Sequence, residues 1–207
     1  QADRYLERGR LLFLLGEVGL AVDDFGQAAE LTPGYVKAYA EPMLLLVSYG
    51  YYIEARSVFA TAVEQTELSD GLKLYFSLWV NDLALRQGQP PDSRAEGFLA
   101  SYQDGGWGYA LARHARGELD YEQLRSGASD EGERAEASFY EGLRRWRTGD
   151  PESGKALLKQ VVDSNLMGFF EYDMAQAYLA WDELPVTARM PMLGGVARRR
   201  LPADATP

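Results

Sequence analysis

The sequence has no cysteine and one histidine, His114. Without thiols there is no disulfide staple, no thiolate zinc site and no cysteine nucleophile. One imidazole cannot build a histidine-rich metal site, and Ser/His/Asp catalysis would have to run through His114 alone. Long apolar runs are also missing. Stretches such as Leu11 to Leu15 and Met43 to Val47 fall far short of the roughly 20 residues that span a bilayer. No basic n-region followed by an apolar h-region opens the chain. Alternating apolar and polar runs with β-branched residues are absent, so no strand is expected. Positive charge is in deficit: 21 basic against 31 acidic residues leave a net charge of −10. Such a chain repels phosphate backbones and anionic membrane surfaces, so no nucleic-acid partner is expected.

What is present is apolar content and an internal repeat. The chain has 207 residues, 46% of them hydrophobic and 25% charged, which suffices for a packed core. Residues 2–35 and 36–69 match at ten of 34 positions, where chance would give about two or three. Tyr5/Tyr39, Leu12/Leu46, Gly16/Gly50, Ala21/Ala55, Phe25/Phe59 and Ala28/Ala62 are among the matches. Within a unit, Gly9 is small where a first helix approaches its partner, and Gly16 ends that helix. Ala21, Phe25 and Ala28 then follow at i, i+4 and i+7 along a second helix, and Pro33 stops it. The second unit places Met43 at the small-residue site. A third unit is expected at about 135–168. Gly142, Gly149, Gly154, Leu158 and Val161 occupy the same offsets, and Asp150-Pro151 reads as cap and first-turn proline.

A period of 34 with these residue types resembles the tetratricopeptide repeat (TPR). The expected fold is all-α: a TPR-like right-handed superhelix, or α-solenoid, of stacked helical hairpins with an irregular middle. Residues 1–184 form the helical domain, with regular repeats at about 2–35, 36–69 and 135–168 and an irregular stretch at 70–134. In that stretch Gly88, Asp104-Gly105-Gly106 and Gly117 separate short helices. Residues 185–207 are expected to be a partly ordered or disordered tail.

No catalytic set is legible, and no cofactor or metal is expected. His114 sits between Arg113 and Arg116 and reads as a surface residue. Asp23-Asp24 reads as the polar face of a helix, and Asp130-Glu131 as a helix start, where the dipole favours anions. Gly105-Gly106-Trp107-Gly108 lacks the lysine and the preceding strand of a phosphate loop. Arg198-Arg199-Arg200 reads as solvated tail. The cluster Tyr49, Tyr51 and Tyr52 allows two readings, an exposed protein interface or plugs between neighbouring units. By repeat position the concave face carries Leu6, Arg10, Phe13, Lys37, Leu44, Val47, Phe139, Leu143, Trp146 and Arg147. That lining suits a peptide with hydrophobic anchors.

The order of motifs resembles the NlpI-type TPR lipoproteins of the bacterial outer membrane. The resemblance is carried by Tyr5-Leu6-Glu7-Arg8-Gly9 with Leu15-Gly16 and Asp24-Phe25. Asp104-Gly105-Gly106-Trp107-Gly108 with Gly117-Glu118-Leu119 extends it, as does Phe139-Tyr140-Glu141-Gly142 with Thr148-Gly149-Asp150. It implies a non-enzymatic adaptor at the periplasmic face of the outer membrane. Such a scaffold brings peptidoglycan hydrolases, a tail-specific protease, or both together. It would be held by an N-terminal lipid whose cysteine is not in this chain, and a homodimer would be in keeping. The alternative is a TPR component of a secretion, pilus or polysaccharide-export apparatus.

Overall fold

The computed structural model describes residues 1–182 and a short antiparallel pair, Met192–Leu193 with Val196–Ala197. That pair departs from the expectation of no strand. The remainder of the segment read as a tail lies outside the described residues. Within 1–182 the fold is all-α. The helices are α1 (Ala2–Leu14), α2 (Val18–Leu31), α3 (Lys37–Ser48), α4 (Tyr52–Glu64), α5 (Asp70–Arg86), α6 (Ser93–Ser101), α7 (Trp107–Ala115), α8 (Tyr121–Gly127), α9 (Glu131–Arg147), α10 (Pro151–Asp163) and α11 (Phe170–Asp182).

One device ends every odd-numbered helix from α1 to α9. A glycine with positive φ stands after the last turn: Gly16 at 85°, Gly50 at 77°, Gly88 at 69°, Gly117 at 74° and Gly149 at 98°. The amide of the next residue then reaches back to a carbonyl five positions earlier, as Glu17 to Leu12, Tyr51 to Leu46, Gln89 to Ala84, Glu118 to Arg113 and Asp150 to Arg145. This is the Schellman closure, which satisfies last-turn carbonyls and turns the chain; only glycine adopts that backbone without strain. Three of the helices that follow start on side-chain caps, whereas α2 and α4 do not. Asp92, Asp120 and Asp150 accept from the first turns of α6, α8 and α10. Ser69 rather than Asp70 caps α5.

Each helix packs on the next in sequence. The odd-numbered helices also pack on one another, α3 on α5, α5 on α7, α7 on α9 and α9 on α11. Two further contacts, α5 with α9 and α11 with α3, bring this inner layer round on itself. The helix α5 lies at its centre: Leu74, Phe76, Leu78, Trp79, Val80 and Leu83 are all buried, so it has no wet face to be amphipathic about. The pairs α1/α2 and α9/α10 have the most extensive contacts, because glycines sit where the helices touch. A Cβ at Gly9 would lie 2.5 Å from the Phe25 ring, and one at Gly154 would lie 2.7 Å from the Gly142 carbonyl. At the matching site of α3 the buried Met43 holds α4 further off. Asp24, read as part of a polar face, is instead buried and clamps Arg8 of α1 through two hydrogen bonds of 2.6 Å.

Two alanine substitutions separate these roles. Gly154→Ala would push its Cβ to 2.8 Å from the backbone nitrogen of Trp146 and should cost about 1–3 kcal/mol by overpacking. Gly26→Ala, in the interior of α2 with nothing within 4 Å of the new Cβ, should gain about 0.5–1 kcal/mol. Urea denaturation of both variants checks the signs; a stabilised Gly154→Ala would overturn the close α9/α10 seat.

Candidate functional site

Among the described residues, the inner layer holds three clusters built around buried carboxyls. In the first, Asp82 of α5 accepts from Arg86 Nε at 2.6 Å and from Arg147 Nη1 of α9 at 2.7 Å. Arg86 Nη2 donates to the Tyr178 hydroxyl of α11 at 2.9 Å, and its guanidinium stands 4.3 Å above that ring's centroid. The Tyr178 hydroxyl in turn donates to the Val47 carbonyl of α3 at 3.5 Å. Four helices are thus tied by one carboxylate, two guanidiniums and one phenol. Both oxygens of Asp82 have partners, so this buried charge is compensated.

In the second cluster the fully buried Glu141 of α9 accepts from Arg144 at 2.6 and 2.8 Å and from Arg145 at 2.6 Å. His114 of α7 lies behind it, with Nδ1 2.9 Å from the Leu119 carbonyl and Nε2 3.5 Å from Glu141 Oε2. The expectation of a surface histidine is corrected: His114 is 4% exposed. It faces inward because its helix turns Leu111, Ala112 and His114 to the core, leaving Arg113 and Arg116 to pair with Glu118 outside. Burial pushes the imidazole below its ordinary pKa. Glu141 pulls the other way, but Arg144 and Arg145 already neutralise it, and Arg144 and Arg147 oppose a further cation. With Nδ1–H donating to Leu119, a neutral ring braces the α7–α8 turn. That arrangement favours a packing role over a base.

The third cluster has no cation. Glu136 of α9 accepts from Trp107 Nε1 at 2.6 Å and from the Tyr75 hydroxyl at 3.0 Å. Glu171 of α11 accepts from the Tyr140 hydroxyl at 2.9 Å, and Tyr140 accepts from Trp79 Nε1 at 3.1 Å. Both carboxyls are buried, and among the described residues neither makes an ion pair. Burial first, and repulsion from Glu171 second, push Glu136 from 4.5 up to about 7; the bonds from Trp107 and Tyr75 pull it part of the way back. Burial likewise pushes Glu171 up. Nothing in the local sequence marks this pair: Glu136 sits among charged residues on α9, and Glu171 opens a helix, where an acid is ordinary.

The residues expected on the concave face divide. Leu6, Phe13, Val47, Phe139 and Leu143 are buried and present no surface to a partner, which corrects that part of the expectation. They do point inward, but the chain itself fills the space. Phe139 stacks on Tyr178 of α11 at 6.3 Å, and Phe13 receives the edges of Tyr49 and Tyr51 at 5.3 and 5.7 Å. That contact also decides the tyrosine cluster: Tyr49 and Tyr51 are plugs between α1 and α3. Arg10, Lys37, Leu44, Trp146 and Arg147 keep partial exposure. Arg10 and Lys37 approach Glu41 at 3.4 and 3.6 Å, and Lys155 stands 5.4 Å above the Trp146 ring. Arg198, Arg199 and Arg200 lie outside the described residues.

Among the described residues no group of acids and histidine is placed to hold a metal ion, and no helix is long and apolar enough to cross a membrane. No protein-family model matches the chain, and no curated protein matches it.

The one histidine makes its environment directly measurable. In a proton NMR titration the single imidazole Cε1–H signal should have its midpoint below 6.5, the ordinary histidine value. The lowered folded-state value means that His114 favours folding above the ordinary value, and that this contribution is lost as pH falls through the lowered one. A midpoint above the ordinary value would mean that the Glu141 pairing outweighs burial.

Proposed function

We propose that this protein is a non-enzymatic protein-binding adaptor built as a TPR-like right-handed superhelix. In this reading it works at the periplasmic face of the bacterial outer membrane and brings peptidoglycan hydrolases, a tail-specific protease, or both together. The observation that carries the reading is the recurrence of one glycine closure at Gly16, Gly50, Gly88, Gly117 and Gly149. It divides the chain into helix–turn–helix units through the stretch that looked irregular in sequence. An array of such units buries one side of each helix against its neighbours and displays a long surface built from many units, which is the geometry of a polypeptide-binding scaffold. Support for the choice of partner comes from the motif order described in the sequence.

The surface open to a partner in this reading is the accessible part of the expected face. It comprises Arg10 and Lys37, which share Glu41, with the apolar Leu44 on α3, and separately Trp146 and Arg147 on α9. Accessible cations and apolar side chains together suit a segment with hydrophobic anchors and flanking acids. The buried His114 and the fully paired Asp82 and Glu141 favour structural rather than catalytic roles for the charged inner residues.

Photo-crosslinking in intact envelopes tests the reading. A crosslinking residue at Lys37 should capture a hydrolase or a protease, identified by mass spectrometry, whereas one at the exposed Thr61 of α4 should not. Equal capture from both positions, or capture of export-apparatus proteins alone, would reject the hydrolase-adaptor version.

A further inference from the structure

The third polar cluster holds two carboxyls in a dry place without a counter-ion, and it lies where α11 meets the rest of the molecule. The segment that delivers Glu171 has the features of a hinged flap. Asn165, just after α10, is the one non-glycine with positive φ among the described residues, at 57°. Gly168 follows with nothing within 4 Å of where a Cβ would stand. Beyond them Phe169 rests on Gly132 of α9, where a Cβ would come within 2.6 Å of the ring. Phe170 meets Trp79 of α5 edge-on at 5.4 Å, and Glu171 closes on Tyr140. Met167, Phe169 and Phe170 all keep substantial exposure. Further along α11, Met174, Ala175 and Tyr178 are buried.

The groups around the two carboxyls are donors or further acids. The helix α5 supplies Tyr75 and Trp79, and Tyr102 after α6 lies near Tyr75. From α7 comes Trp107, and from α9 come Glu133 and Tyr140. Arg134 of α9 is exposed, the buried Lys73 of α5 stands 3.8 Å from Asp70, and other cations of the neighbouring helices are engaged elsewhere. Arg144 and Arg145 go to Glu141, Arg147 and Arg86 to Asp82, Lys155 to Glu152, Lys159 to Asp163 and Lys37 to Glu41. Two like charges in such a place cannot both ionise without cost, and a shared proton removes it.

We propose that the start of α11 is a proton-controlled latch. With one proton between Glu136 and Glu171 it stays docked on α5 and α9; with both ionised it swings out about Asn165–Gly168 and uncovers Trp79, Tyr140 and Gly132. The sign follows from linkage. Docking raises carboxyl proton affinity, so the docked form gains at low pH, and the gain is lost as pH rises through about 7, the value for Glu136. The His114 effect runs the opposite way and below that window, so the two do not mask each other. The latch goes beyond the adaptor reading and stands without it. Under that reading it also decides when the inner face is open.

Hydrogen exchange followed by mass spectrometry tests the latch on the full chain with no partner present. Protection of residues 164–176, corrected for intrinsic exchange, should fall by about 10-fold between pH 6 and pH 8, the change expected when a carboxyl moves from near 4.5 undocked to near 7 docked. Residues 18–31 of α2 should not change. Glu171→Gln and Glu136→Gln each remove the repulsion but leave the other carboxyl buried, so each should weaken the pH dependence and the double variant should abolish it. A flat wild-type profile overturns the proposal, and so does a wild-type slope that persists undiminished in a variant whose circular dichroism shows native helix content. If neither variant folds, the wild-type slope alone decides.

Discussion

The described fold depends on a backbone constraint more than on any side chain. Five times the chain must leave a helix, satisfy its last carbonyls and start back within three to six residues. The left-handed conformation that does this is open to glycine at little cost and to other residues only with strain. Once Gly16, Gly50, Gly88, Gly117 and Gly149 fix these corners, successive helices are committed to pack side by side, and the apolar stripes decide only how closely. Where glycine recurs at the contact itself, as at Gly9 and at Gly142 against Gly154, the helices nearly touch. Where Met43 takes that place the pair opens.

Much of this was legible in the sequence because it is local. The matches at a shift of 34, the alanines flanking Phe25 and Phe59, and the cap-and-proline pair Asp150-Pro151 announce their helices within a few residues. The helices α5 to α8 were legible one at a time from the glycines that separate them, Gly88, Gly105-Gly106 and Gly117. Their membership of the same alternating series was not, because the spacing of the stops varies and the conserved-looking apolar offsets are lost there. What sequence could not convey is where the inner layer ends up. Leu6, Phe13, Val47, Phe139 and Leu143 do point inward, but their burial depends on α11 and on the tyrosines after α3, far away in the chain. Asp24 and His114 misled for a similar reason: a charged or flanked residue on a helix gives no sign of the partner that will cover it.

The three polar clusters differ in one respect with large energetic weight. Asp82 and Glu141 enter the interior with guanidiniums attached; Asp82 rivets α5 to α9, and Glu141 is paired within α9. Glu136 and Glu171 enter with only phenols and indoles as donors. Neutral donors steady a carboxylate but do not cancel its charge, so the pair stays sensitive to its protonation, whereas the carboxylates of the other two clusters face guanidiniums. The molecule therefore combines a rigid electrostatic frame with one adjustable joint, and the joint lies at the edge of α11 rather than at the centre of α5.

The contact of α11 with α3 has a consequence for how such a chain can change over time. An open-ended stack of hairpins can gain or lose a whole unit, since each touches only its neighbours. Here the last helix is seated on the third, through Tyr178 and the Val47 carbonyl. Duplication of one hairpin between them would carry α11 off its seat and break the Arg86–Tyr178 and Glu171–Tyr140 bonds together. The ring of contacts thus acts as a ruler for the described part of the chain: loops can lengthen, but the number of hairpins is fixed.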